Sequence, residues 1–298
     1  MKVGFFMLKN FLAALILGGV IVFAGTTPTA EATIEISAVM KMEAKVVNWN
    51  KGADSDIVAI GIGRPDPRGL TLSREAAIMA AQRTLVGIIK GLQIDSETTM
   101  EDFLIGRDTV NRKISGILRG AQIVEEDSTS DGGYYVMMRV PLYGQDSIAA
   151  AIVPEFGTGT PKPFERVEDT DLTPSELQEL HSTSYTGLIV DATGLGLDET
   201  FSPVIYDTNG RAIYGVENLQ PEMIISMGMV SYSDLPQDSV AYDRAGSSPL
   251  IVRAVEIRGG QNSVNKVNCV VSVEDADRIL LANENSHMLE NCAVVFVR

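Results

Sequence analysis

Apolar residues recur at intervals of three and four between residues 70 and 92, which places them on one face of a helix. They are Ile78, Ala81, Leu85, Ile88 and Leu92. Ala76, Ala77 and Ala80 add small side chains, so a sheet or a second helix can approach this helix closely. Pro65 and Pro67 come just before it and end the preceding strand, since each fixes its own φ angle.

Strand patterns lie on both sides of this helix. Residues 56–62 predict a strand with Val58, Ile60 and Ile62 on one face, and a second helical stripe over 110–118 ends at Gly120. Residues 121–126 and 134–143 then predict a hairpin. The order strand, strand, helix, helix, strand, strand predicts an antiparallel sheet with helices on one face. We expect an aromatic patch on this hairpin, formed by Tyr134, Tyr135 and Tyr143, that lies partly in the core and partly at a sheet edge where a partner strand could pair.

Three segments of this half carry a resemblance to a known family. The segments are REAAIMAAQRTLVGIIKGLQIDSETT, VNRKISGILRGAQIVEED and GGYYVMMRVPL. Their succession resembles the N-terminal domain of the bacterial flagellar assembly protein T, and it is similar to the related family of small outer-membrane lipoproteins. The resemblance covers residues 58–142. It implies a periplasmic, non-catalytic α+β module used in cell-envelope or motor-associated assemblies, and it carries over no functional residues.

The amino-terminal segment has the order of a secretory signal. Lys2 and Lys9 precede an apolar run over 11–23, and small residues lead to Ala32, after which cleavage is expected. The run is shorter than the about 20 residues of a membrane span. We therefore predict that residues 1–32 are a signal peptide and that the protein is periplasmic or extracellular. An uncleaved anchor in the inner membrane remains the alternative, and translation starts at Met1 or Met7.

The rest of the chain divides at a change of composition. Residues 154–183 are rich in proline and acidic residues, which predicts a stiff, solvated linker between domains. Residues 33–153 form the first domain and 184–298 the second. In the second, residues 250–257, 267–271 and 292–297 are predicted strands. We expect both domains to be α+β, each an antiparallel or mixed β-sheet with helices packed on one face.

The second domain also carries local turn and cap signals. Asn209-Gly210 predicts a hairpin turn, and Ser272 with Asp275 predicts the start of a helix between the last two strands. Strand, helix and strand in this order predict a crossover unit within a mixed sheet.

The formal net charge of −15 argues against nucleic acid and against an anionic membrane surface as partners, since both carry negative charge. No cysteine precedes Cys269, so a direct lipid anchor on an N-terminal cysteine is excluded. The partners we expect are envelope proteins, with self-association as a further interaction.

Cys269 and Cys292 are the two cysteines of the chain. In an oxidising compartment they would form one disulfide, and the alternative is two buried thiols in apolar strands. Both alternatives stay open. A nucleophilic pair of Cys292 with His287 is disfavoured because a thiol in a buried strand is normally inert.

Candidate chemistry is sparse elsewhere. Asp191, Gly194 and Gly196 follow a strand and form a candidate ligand loop, but the dinucleotide fingerprint lacks its third glycine, and a tight turn is the simpler interpretation. His181 and His287 lack partners at zinc-ligand spacing. We predict no catalytic residue, metal ligand or cofactor. The leading hypothesis is a non-catalytic envelope interaction or assembly protein. A small-ligand-binding protein is the alternative, and a hydrolase is the remote one.

Overall fold

The computed structural model describes residues 45–49, 55–157, 159–235, 239–259 and 265–298, and it describes side chains in all of these except 45, 46, 239 and 240. The predicted signal peptide and the start of the first predicted strand lie outside these residues. Within them, no helix is both long enough and apolar enough to cross a membrane.

The first sheet has four strands in the order β1-β2-β4-β3. Strands β3 and β4 pair antiparallel, with a bulge between Ile123 and Glu125. Leu142, just after β4, donates its N–H to the carbonyl of Ser55, just before β2 (3.2 Å), so β2 and β4 also run antiparallel. The predicted antiparallel sheet is confirmed. Its strands are β1 (Lys45–Val47), β2 (Asp56–Gly63), β3 (Gln122–Ser128) and β4 (Tyr134–Pro141).

Of the predicted aromatic patch, the part in the core is confirmed and the part at a sheet edge is wrong. Strand β4 lies between β2 and β3, so it is an interior strand, and Tyr135 and Tyr143 are 5% and 2% exposed. The alternation of tyrosines gave no information on strand order, which long-range pairing determines.

The long predicted helix is confirmed as α1 (Leu70–Lys90), and the second as α3 (Asp108–Arg119). The short α2 (Met100–Phe103) lies between them, and α4 (Ile148–Ile152) follows β4. Helix α1 approaches β2 very closely. A Cβ atom added to Gly61 would lie 1.9 Å from the carbonyl oxygen of Ala77, and one added to Gly63 would lie 1.7 Å from that of Ser73. The glycines of β2 and the small residues of α1 therefore form one tight contact.

The carboxyl-terminal part of the chain builds two more four-stranded sheets. One is entirely parallel, in the order β8-β12-β5-β9, and the other is mixed, in the order β10-β11-β6-β7. The strands are β5 (Gly187–Asp191), β6 (Ile205–Asp207), β7 (Ala212–Tyr214), β8 (Ser231–Ser233), β9 (Pro249–Arg253), β10 (Glu256–Arg258), β11 (Asn268–Val271) and β12 (Val294–Val297). The helices are α5 (Pro174–Ser182), α6 (Pro221–Met227), α7 (Ser239–Ala245) and α8 (Val273–Ser286). The α+β fold class is confirmed.

Helix α7 covers one face of the parallel sheet. Ala241 and Ala245 of α7 form a fully buried cluster with Ile189, Val295 and Val297 of the two central strands. On the other face the ring of Phe296 contacts that of Tyr232 edge-on, with 5.9 Å between ring centroids. This sheet is therefore covered by apolar groups on both faces, as parallel sheets usually are.

Two details of this half differ from the predictions. The predicted single strand over 250–257 is two strands, because β9 pairs with β5 in the parallel sheet whereas β10 pairs with β11 in the mixed sheet. The predicted crossover within one sheet is also wrong, since β11 and β12 belong to different sheets. The continuous apolar pattern of residues 250–257 did not reveal that the chain changes sheets there.

The chain divides into two compact units. The described part of the smaller one consists of residues 45–46, Val58–Thr84 and Gln122–Arg139, and that of the larger one consists of residues 47–49, 55–57, Leu85–Ala121 and Val140–Arg298. The domain boundaries predicted at 153 and 184 stay a prediction.

Candidate functional site

The predicted ligand loop lies at the carboxyl end of β5 in the parallel sheet. Thr193 donates its backbone N–H to Asp191 Oδ1 (3.0 Å), and Leu195 donates to the carbonyl of Ala192 (3.0 Å). Hydrogen bonds from the side chain and backbone of Thr193 lower the pKa of the Asp191 carboxyl. Gly194 and Gly196 have φ angles of 81° and 73°, a region that glycine enters without strain. The loop is thus a tight turn that uses the Asp191 carboxylate for its own backbone.

A groove of about 600 Å³ lies elsewhere in the larger unit. One wall consists of residues 161–166, which we call the strap. Another comes from the carboxyl-terminal half of α8 and the turn after it, and Asn218 and Gln220 complete the lining. The full lining comprises Pro161, Lys162, Pro163, Phe164, Glu165, Arg166, Asn218, Gln220, Leu280, Asn283, Glu284, His287 and Glu290.

Backbone and side-chain contacts hold the strap in place. Lys162 donates its N–H to the carbonyl of Glu217 (2.8 Å), and its ammonium group pairs with the Glu217 carboxylate. The amide of Asn218 donates to the Lys162 carbonyl (3.3 Å). The ring of Phe164 stacks on that of Tyr214, with 6.4 Å between centroids and 6° between planes. The strap is therefore attached along its length, although its composition predicts a linker.

Helix α8 is fixed at its start and its middle. Ser272 caps it, accepting a hydrogen bond from the Asp275 N–H (3.0 Å). Arg211, after the turn of the β6–β7 hairpin, donates to the buried carboxylates of Asp207 and Asp277 (2.9 Å each). This ion pair network ties the first half of α8, before the part that lines the groove, to the mixed sheet.

The helix ends at the groove. His287 is its C-cap residue with a φ of 51°, and Asn283 Oδ1 accepts the N–H of Leu289 (2.9 Å) in the turn that follows. The turn brings Glu290 into the lining, with its Oε1 3.7 Å from His287 Nδ1. Glu290 Oε2 is excluded from solvent and has no hydrogen-bond partner among the described residues. The carboxyl end of a helix also carries partial negative charge, so this wall is electronegative.

The groups with the greatest chemical reactivity are engaged in packing. Cys269 and Cys292 are both free, buried thiols, which corresponds to the second of the two alternatives. Burial raises the pKa of each thiol. Arg244 is buried, and its guanidinium donates to the carbonyls of Cys292 (2.8 Å) and Met227 (3.0 Å) and to the hydroxyl of Ser231 (3.0 Å). His287, in contrast, is exposed at the groove.

Metal binding finds no support in the described residues, which contain no group of three or more histidine, cysteine, aspartate and glutamate side chains arranged to hold an ion. His181 lies on α5, where its Nδ1 contacts the Leu177 carbonyl (2.6 Å).

Sequence reasoning missed most of the groove. The strap lies inside the predicted linker, and His287 enters the sequence predictions only as a disfavoured partner of Cys292 and a disfavoured zinc ligand. One signal in the sequence pointed to it. Phe164 is an aromatic residue within a proline-rich acidic segment, and an aromatic side chain there usually packs against something.

A family model matches residues 187–298, which is less than half of the chain. Its description is the second domain of Treponema pallidum Tp0624. No curated protein matches the chain. The match begins at the first residue of β5 and covers none of residues 58–142, so the resemblance to flagellar assembly protein T and the small lipoproteins stays a prediction.

Proposed function

We propose that this is an exported cell-envelope protein that acts by binding a partner, without catalysis. The groove between the strap and α8 is the observation that carries the proposal. Backbone hydrogen bonds and the stacked ring of Phe164 hold one wall, and the Asp207–Arg211–Asp277 network ties the first half of α8, which continues into the other wall, to the mixed sheet. Most of the residues that line the groove are polar or charged, and concave sites with converging polar groups are places where proteins bind ligands.

Three further observations support the compartment, the binding role and a modular organisation in turn. Residues 1–32 have the charged, apolar and small-residue order of a secretory signal. The thiols and the Asp191 carboxylate are used in the core and in a turn, where they have structural partners. The matched family model describes one domain of a larger protein, which supports a modular role for residues 187–298.

Cell fractionation tests the proposed location of the protein in the cell. A tagged chain is expected in the periplasmic or envelope fraction with a new N-terminus near residue 33, and a variant lacking residues 2–32 is expected in the cytoplasm. An unprocessed, cytoplasmic full-length chain would contradict the proposal.

Site-specific cross-linking tests the surface. A photoreactive residue at Gln220, in the groove lining, is expected to give a discrete cross-linked product in intact cells. The same residue at Ile105, which is 73% exposed and belongs to the α2–α3 segment, is the control and is expected to give none. Products from Ile105 alone would rule out the groove as the contact surface.

A soluble small-ligand-binding protein is the second candidate. The groove volume favours it, because pockets for small molecules span about 300–1,000 Å³. The test adds a periplasmic extract, passed through a 3 kDa filter, to the purified chain. A small ligand in this filtrate would raise the melting temperature of the chain, whereas a macromolecular partner does not pass the filter.

A further inference from the structure

We infer that the outer edge of β9 pairs with an extended strand of a partner protein, and that this strand carries an acidic side chain between two apolar ones. The edge is a second surface beyond the groove, because none of residues 249–255 lines the groove. Four observations carry the inference: the open backbone edge, the uncovered apolar side chains, the closure of the opposite edge of the same sheet and the position of Arg253.

The backbone of β9 is paired on one side. It is an edge strand of the parallel sheet, with β5 as its neighbour and no described strand on its outer side. Ala254 donates its N–H to the carbonyl of Asp191 (2.8 Å) at the end of the β5–β9 ladder. Because backbone groups alternate in direction along a strand, those of Ile251 and Arg253 face outward. Outward N–H and C=O groups of this kind are a template on which another strand pairs.

The side chains of β9 also alternate. Leu250 and Val252 are buried, whereas Ile251 and the nearby Val255 are 51% and 53% exposed. Ile251 pairs in register with Ile189, which packs against α7, so Ile251 lies on the α7 face of the sheet. Helix α7 packs mainly on β5, β8 and β12. Since parallel sheets are usually covered on both faces, the part of this face at β9 lacks its usual apolar cover.

The opposite edge of the same sheet is protected. All three residues of its edge strand β8, Ser231–Ser233, are buried. Arg298 also donates its N–H to the carbonyl of Ser233 (3.0 Å). Natural proteins usually cover or shorten exposed edge strands. Of the two edges of this sheet, the one at β9 is therefore the edge that is open to a partner.

Arg253 determines which strand fits. It stands beside Asp191 in the register, but that carboxylate already accepts the N–H of Thr193 (3.0 Å), and a guanidinium has donors for a second carboxylate. Pairing of β9 with β9 of a second copy would bring two arginines close together, and like charges across strands are destabilising. Charge complementarity thus favours a partner strand with aspartate or glutamate opposite Arg253. The formal charge of −15 opposes this partner weakly, since salt screens charges beyond about 8 Å.

Fluorescence anisotropy with short strand peptides tests the inference on the purified mature chain. The probe is a fluorescein-labelled peptide in which threonines alternate with valine, glutamate and valine, and the matched control has lysine in place of glutamate. The glutamate peptide is expected to bind about fivefold more tightly, since opposite charges across strands attract and like charges repel. Equal binding of the two peptides, or binding of neither, would overturn the inference.

Amide hydrogen exchange locates the contact. In the free chain, the amides of Ile251 and Arg253 are expected to exchange fast and that of Val252 slowly, because only Val252 donates within the ladder. The glutamate peptide at saturation is expected to slow exchange at Ile251 and Arg253 at least about tenfold. Binding that leaves these two amides unprotected would place the peptide elsewhere and overturn the inference.

Charge reversal provides matched variants. Arg253→Glu is expected to reverse the preference, so that the lysine peptide binds about fivefold more tightly than the glutamate peptide. Binding of the lysine peptide also shows that this variant folds. Arg112→Glu makes the same change at an exposed position of α3 and is expected to leave the preference for glutamate unchanged. A preference that responds equally to both variants would overturn the assignment to β9.

Analytical ultracentrifugation separates a partner from a second copy. The chain is expected to sediment as a monomer at the concentrations of the binding assay. A dimer in which the amides of Ile251 and Arg253 are protected without peptide would assign the edge to a second copy and overturn the inference. These results do not depend on the groove, because the cross-link from Gln220 reports on a surface that β9 does not line.

Discussion

At the scale of single residues, the tightest contact in the smaller unit depends on two glycines. Gly61 and Gly63 lie on the face of β2 that meets α1, and an added Cβ atom at either would overlap a backbone carbonyl of the helix. Backbone atoms cannot move aside as a flexible side chain can. The helix and the sheet would have to separate.

We therefore expect Gly61→Ala to lower the free energy of unfolding by about 3 kcal/mol, the upper part of the usual range for overpacked cores. Gly87→Ala is the control. Gly87 is a helical glycine in α1 with open space around its Cβ position, so alanine there is expected to raise stability by about 0.5–1 kcal/mol. Urea unfolding measures both, and a neutral Gly61→Ala would contradict the close approach.

Arg244 is the buried cation of the larger unit. Its guanidinium donates to three backbone carbonyls, those of Met227, Gly228 and Cys292, and to the hydroxyl of Ser231. Burial lowers the pKa of this arginine. A planar fork of donors fits several fixed acceptors, which the compact ammonium of lysine does not reproduce.

Arg244→Met is expected to cost about 3 kcal/mol or more of unfolding free energy, because it leaves buried acceptors unpaired. Arg244→Lys is expected to recover only part of this loss. Arg253→Met, at an exposed position of β9, serves as the control and is expected to stay within about 0.5 kcal/mol. Thermal or urea unfolding of the three variants measures these changes in stability. Full stability of the Arg244→Lys variant would show that the positive charge alone is needed at this position.

Asp66 gives a residue-scale prediction on pH. The backbone and guanidinium N–H groups of Arg68 donate to its carboxylate at 2.9–3.0 Å and lower its pKa to about 2. A lowered folded-state pKa means that the stabilising contribution is present above the ordinary pKa of aspartate and is lost as the pH falls toward 2. NMR titration of the carboxyl carbon is expected to give a midpoint near 2, and Arg68→Ala is expected to return it toward the ordinary value.

At the scale of elements, the sequence predicted what local patterns determine. Helices α1 and α3, strand β2 and the hairpin at Asn209-Gly210 occur where periodicity and turn chemistry placed them. The cap of α8 also forms as predicted, with the Ser272 hydroxyl accepting the Asp275 N–H. Strand order and the change of sheet between β9 and β10 could not be predicted, because residues far apart in the chain determine them.

The strap illustrates the same limit of prediction from local sequence. Proline and acidic residues indicate how stiff and solvated a segment is, but they do not indicate whether it packs. The contact that fixes the strap joins Phe164 to Tyr214, 50 residues further along the chain, together with the backbone bond from Lys162 to Glu217. Such a contact becomes visible only once both segments are placed.

We expect Phe164→Ala to loosen the strap, since a stacked aromatic pair contributes about 0.5–1.5 kcal/mol beyond its buried area. Trypsin cleavage after Arg166, which is exposed, is expected to become severalfold faster in this variant. Phe164→Tyr keeps the ring and is the control, with an unchanged cleavage rate expected. If the two variants are cleaved equally fast, the stacking does not hold the strap.

At the scale of the whole molecule, the two cysteines connect the fold to the proposed compartment. Cys269 lies in β11 of the mixed sheet, and Cys292 lies just before β12 of the parallel sheet, where its φ angle is 52°. Both side chains are fully buried, and burial raises the pKa of both thiols. A protonated thiol that solvent does not reach reacts slowly with oxidants, so an exported protein can keep both thiols reduced.

A thiol assay is therefore expected to find none reactive in the folded chain and two after unfolding in denaturant without a reducing agent. Trp49 provides the matching signal for unfolding of the same unit. It is the single tryptophan, it is 5% exposed, and its indole N–H donates to Glu199 at 2.8 Å. The thiols are expected to appear with the same denaturant midpoint as the loss of Trp49 fluorescence, because both depend on global opening of the larger unit. A chain that yields no thiols when unfolded would have its cysteines joined, which would contradict the two free thiols of the structure.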